Sequence, residues 1–224
     1  MLTTHLHPTG TDYCSPATRI TRSLLGYGLI AGPFYVVVSL AQALTREGFR
    51  LHEHSWSLLA NGSLGWIQIT NFIVTGLMTG AAAIGLRRAM PLGRARRWAP
   101  WLIFGYGTSM VGAGVFTADP ARGFPAGAAE GTTVSWHGMA HLMTGGIGFL
   151  CLVTACLVLG SHFADTGRAG MAWYSRVTGV AFLAAFAGIA SGSRGPATVV
   201  FVAAVLLVWT WLAAICHHFY RAAS

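Results

Sequence analysis

The spacing of long apolar runs between short polar connections limits this chain more than any other feature. Six runs approach the ~20 residues a bilayer-spanning helix needs: residues 20–44, 64–86, 98–117, 137–160, 174–191 and 198–219. Hydrophobic residues make up 54% of the 224 and charged residues only 9%. The ~25% charge of soluble domains argues against a water-soluble core. The expected fold is therefore all-α, a polytopic membrane helix bundle with about six transmembrane helices. It occupies one domain, residues 19–224, behind a polar tail, residues 1–18.

The formal charge of +8 invites a nucleic-acid reading, but its distribution does not. All 14 basic residues are arginine, and ten of them share alternate connections: Arg19, Arg22, Arg87, Arg88, Arg94, Arg96, Arg97, Arg168, Arg176 and Arg221. Arg46, Arg50, Arg122 and Arg194 lie on the other side, with Glu47, Glu53, Asp119 and Glu130. Cytoplasmic loops are enriched in arginine and lysine. The expected placement is a multi-pass protein of the cell membrane with both termini cytoplasmic, its partner the lipid bilayer and not nucleic acid. The basic stretch 87–98, with Pro91 and Gly93, is expected to be a turn. Of the four cysteines, Cys14, Cys151, Cys156 and Cys216, none falls in an outer connection. No stabilising extracytoplasmic disulfide is expected.

With that topology the first and third connections share the outer face, and three polar segments meet there. The first runs through His52, Glu53, His54, Ser55 and Ser57 to Gln68 and Asn71. The two amides are three residues apart on one helix face. Such side chains hydrogen-bond across helices or meet a ligand. The second is Asp119-Pro120, where proline stops the third run. The third is His137-Gly138-Met139-Ala140-His141. Histidines at i and i+4 project from one helix face and suit a divalent metal such as zinc, with Asp119 as third ligand. The same pair also suits a hydrogen-bonded structure without metal, or a proton relay. The glutamate of the zinc-protease helix is missing between them, so that protease reading has no support. Arg194, in the last outer connection, is a candidate clamp for phosphate or carboxylate.

Three stretches taken together resemble the membrane family catalogued as DUF998: residues 55–72 (SWSLLANGSLGWIQITNF), 114–120 (GVFTADP) and 136–141 (WHGMAH). The resemblance covers about residues 20–219, in order. It implies six spans, a serine-rich approach to the second, and an Asp-Pro step before a His-Gly-x-x-His helix. A glycine- and alanine-rich insert between Pro120 and Trp136 departs from the pattern. The resemblance carries no biochemical role.

The leading expectation is an outward-facing polar pocket that takes a lipid or small-molecule ligand. In its enzymatic form Asp119, His137 and His141 are catalytic or hold the metal, and Ser55, Ser57, Gln68, Asn71 and Arg194 bind the substrate. The reaction is then hydrolysis of a lipid-borne ester, phosphoester or amide. The rival classes are a transporter or sensor of small solutes or protons, and a non-catalytic structural subunit. Transporters favour internal repeats and midplane sites, and the sequence offers neither.

Overall fold

The computed structural model describes residues 15–128, 134–192 and 195–223. Six helices carry the chain: α1 (Pro16–Thr45), α2 (Gly65–Ala89), α3 (Arg94–Val115), α4 (Trp136–Asp165), α5 (Ala169–Ala190) and α6 (Pro196–Ala222). A short 3-10 helix, Trp56–Ala60, precedes α2. At 1.5 Å per residue the six helices are ~33–45 Å long, enough to cross the ~30 Å of bilayer hydrocarbon.

Helix starts follow local chemistry. Ser15 caps α1 by accepting the Thr18 N–H at 3.2 Å, and Pro16 supplies the first helical residue. Ser135 caps α4 in the same way, accepting from Gly138 N at 3.0 Å. The basic stretch differs from expectation. α2 continues to Ala89 and α3 starts at Arg94, so the turn is only residues 90–93. Arginine is a good helix former, and its long stem lets the guanidinium leave the helix end for water.

Five helices, all except α3, are long and apolar enough to cross a membrane. In α3 the apolar residues are diluted by Gly105, Gly107, Gly112, Gly114, Tyr106, Thr108 and Ser109. α3 nevertheless packs between α2 and α4, within the bundle. The packing follows chain order, each helix on the next, and α6 returns to α1 to close a six-helix ring. The chain is thus an all-α polytopic membrane bundle.

Small residues set the helix separations. A Cβ on Gly76 would stand 2.5 Å from the Gly107 carbonyl, and one on Gly107 would stand 2.7 Å from the Gly76 carbonyl. The α2–α3 approach therefore needs glycine on both helices, as expected where apolar lipid gives no drive for association. Between α1 and α2 a buried amide network takes over. Gln68 Oε1 accepts from Gln42 Nε2 at 2.9 Å, and Asn71 Nδ2 donates to Ser39 Oγ and the Tyr35 carbonyl, each at 3.1 Å.

Arginines gather at one end of the ring. Arg88 donates to Thr21 Oγ1 at 3.0 Å, Arg96 to the Arg87 carbonyl at 2.9 Å, and Arg22 sits 5.5 Å over the Tyr220 ring. The connections after α1 and α3 lie at the opposite, rim end.

Candidate functional site

The rim is built around the α3–α4 junction. α3 ends at Val115, which leaves C-terminal carbonyls without helical partners, and α4 opens with free N–H groups. His141 Nδ1 meets the Phe116 carbonyl at 2.8 Å. A carbonyl only accepts, so Nδ1 carries the proton and serves the end of α3. Asp119 serves the start of α4. Its Oδ2 accepts the Ser135 N–H at 2.8 Å, and its Oδ1 accepts the Ser135 hydroxyl. The carboxylate also sits on the positive end of the α4 dipole. A Cβ at position 138 would overlap the Asp119 carboxylate, so the glycine between the histidines is what lets the acid approach.

The first connection is tied to the third by His54, which is fully buried. Its Nδ1 accepts the Arg50 N–H at 2.9 Å, and its Nε2 donates to the Arg122 carbonyl at 3.0 Å. The ring lies between Phe49 and Phe124, with centroids 5.2 and 5.5 Å away. Arg46 adds a second tie, donating to the Leu59 and Asn61 carbonyls and covering the Phe124 ring at 4.8 Å. Arg122 Nη1 donates to the Glu53 carbonyl at 2.7 Å and reaches Thr198 Oγ1 on α6 at 3.4 Å. The Glu53 carboxylate turns to other partners, Arg50 Nε at 2.7 Å and His52 Nε2 at 3.4 Å. The hydrogen bond from Arg50 holds its carboxyl below the ordinary range.

Beneath these loops lies a cavity of about 600 Å³, within the ~300–1,000 Å³ of small-molecule sites. Its rim presents Ser55, Ser57, Asp119, Arg122 and His141. Its depth is apolar and aromatic, lined by Met110, Phe149, Phe186, Phe201, Val202 and Val205. Phe149 is thirteen residues into α4, ~20 Å along it at 1.5 Å per residue. Val134 and Leu142 also line the cavity and are 57% and 61% exposed, so it opens sideways as well.

The sequence-derived residues divide accordingly. Ser55 and Ser57, 3.0 Å apart at their hydroxyls, join Asp119 and His141 in the cavity wall. Gln68 and Asn71 do not line it; both are buried in the α1–α2 network. His137 stacks on Trp136 with centroids 3.7 Å apart and is not in the wall. Asp119 holds Ser135 and His141 Nδ1 meets the Phe116 carbonyl, while His137 lies against Trp136 outside the wall, so the three are not gathered as one ligand set. Among the described residues no three His, Cys, Asp or Glu side chains are arranged to hold a metal ion. Arg194 lies outside the described residues, as do Glu130 and residues 1–14 of the tail with Cys14, whereas residues 16–18 already belong to α1.

Two wall residues carried no functional signal in the sequence. Arg122 reads there as one more loop arginine. Trp56 reads as an interfacial aromatic, yet it is buried in the wall and its indole N–H has no acceptor among the described residues.

Neither the curated proteins nor the solved structures offer a match. The family description "Protein of unknown function (DUF998)" matches residues 29–218. That span takes in α2 to α5, parts of α1 and α6, and both connections of the rim, and the chain belongs to the DUF998 family.

Proposed function

We propose that this integral membrane protein binds an amphipathic, lipid-like molecule, with its hydrocarbon part among α3–α6 and its polar head at the rim. One observation carries the reading: a single cavity joins an apolar depth to a polar rim and is open on the side where Leu142 is exposed. The arginine distribution supports termini in the cytoplasm and the rim on the outer face of the cell membrane.

The test uses protein in discs of neutral phosphatidylcholine and two photoactivatable probes, diazirine-bearing tetradecanoic acid and tetradecanol. The reading expects adducts from at least one probe on Phe149, Phe201 or Val205. It also expects Gly145→Leu to abolish them, since a Cβ there enters open space in the cavity wall. Adducts confined to outward residues such as Leu77 and Leu183, unchanged by Gly145→Leu, would overturn it.

A hydrolytic form of the same reading is favoured by His141. In the neutral ring, Nδ1–H bound to a carbonyl leaves the lone pair on Nε2, which has no hydrogen-bond partner among the described residues. It is the atom placed to act as a general base, with Ser55 and Ser57 in the same wall. Asp119 then orders the α3–α4 junction, and no metal is needed. Release of tetradecanoate from a tetradecanoyl ester by wild type, lost in His141→Gln, is the expected result. Absence of turnover by wild-type protein that photolabels normally would remove hydrolysis and leave binding intact.

A further inference from the structure

Resting on that pocket, we infer that Arg122 makes it selective for an anionic head, a carboxylate or phosphate on a single hydrocarbon chain. A chain that leaves the bilayer for an apolar cavity gains little, because lipid tails are as apolar as the cavity wall. Discrimination must then come from the rim. Arg122 is the arginine of the cavity wall, and it forms no ion pair among the described residues. Neither carboxylate of the wall forms an ion pair with it among the described residues. Asp119 gives both oxygens to Ser135, and Glu53 is paired with Arg50 and His52.

Arg122 is also held in place. His54 binds its carbonyl, and Nη1 is fixed by the Glu53 carbonyl and Thr198, while Nε and Nη2 make no hydrogen bond among the described residues. Its backbone keeps a positive φ of 56°, uncommon for a side-chain-bearing residue. The remaining guanidinium donors form a fork, and a fork suits two oxygens of one acid. The Ser55 and Ser57 hydroxyls and His141 add further hydrogen-bonding groups to the same wall. The cavity holds a drug-sized body. That size favours one chain with a compact head over a two-chain phospholipid.

The experiment compares three photoactivatable probes of equal chain length in the neutral discs: tetradecanoic acid, tetradecyl phosphate and tetradecanol. Wild type is expected to label Phe149, Phe201 or Val205 at least tenfold more with an anionic probe than with the alcohol. The ratio of acid to phosphate names the head. Arg122→Gln is expected to bring anionic labelling down to the alcohol level, and Arg122→Lys to keep most of the preference. If Arg122→Gln does not fold, the wild-type ratio and Arg122→Lys decide. Equal labelling by acid, phosphate and alcohol overturns the anion inference and spares the pocket. An anionic preference that survives in folded Arg122→Gln overturns it as well. Absence of pocket labelling by any probe overturns the pocket itself.

Discussion

At the scale of single residues, Asp119 and His141 both line the cavity and hold the α3–α4 junction. Asp119 and Gly138 are one unit. Gly138→Ala forces the carboxylate off Ser135 and is expected to cost ~1–3 kcal/mol, the range of overpacking. Asp119→Ala alone is expected to cost ~1 kcal/mol through the lost hydrogen bonds from Ser135. The double variant should be clearly more stable than the sum of the two, because the clash disappears with the acid. Thermal unfolding of all four proteins in one detergent reads the coupling, and additive losses would contradict this geometry. His54 and His52 separate just as sharply. His54→Phe orphans the Arg50 N–H and the Arg122 carbonyl and should lose ~1–3 kcal/mol per group left buried. His52→Ala, at an exposed site, should stay within ~0.5 kcal/mol. The Arg50–Glu53 pair has a pH sign. The folded Glu53 pKa is lowered, so its contribution is present above the ordinary carboxylate pKa and lost as pH falls through the lowered value. Proteolysis of the first connection should therefore rise on that acid side, and Glu53→Gln should remove the dependence.

At the scale of elements, hydropathy located all six helices, because a spanning helix must be a long apolar run whatever it packs against. Its ends were less legible. α1 begins at Pro16 and α3 at Arg94, outside the apolar runs, since capping and arginine stems carry helices past the hydrocarbon. The 29 glycines suit close helix contacts, but frequency alone does not say which of them make such contacts. Gly76 faces backbone on α3, whereas Gly145 faces open space. Gly76→Ala is expected to destabilise by ~1–3 kcal/mol. Gly145→Ala should be neutral or stabilising by up to ~1 kcal/mol. Equal thermal shifts for the two would contradict the α2–α3 packing. Of the residues singled out in the sequence, Ser55, Ser57, Asp119 and His141 line the cavity. Sequence spacing could not separate them from Gln68, Asn71 and His137, because periodicity gives a helix face but not the neighbour that face meets. Arg122 was invisible for a related reason: its position depends on His54, sixty-eight residues away.

At the scale of the whole molecule, the closed ring explains why a cavity exists. The helices pack in chain order around the ring, and α3, α4, α5 and α6 leave space between them at the rim end. The arginines crowd the opposite end, so the bundle carries its excess positive charge away from the cavity mouth. A cysteine at Gly127 should react with an impermeant maleimide added outside intact cells, and reaction only after lysis would invert the topology. An electron cryomicroscopy structure in lipid discs supplied with tetradecanoic acid reads most directly whether the cavity holds an amphiphile. One elongated density is expected among Phe149, Phe201 and Val205, ending within hydrogen-bonding distance of Arg122. A cavity that is collapsed, or filled only by separate waters, under the same conditions would contradict that expectation.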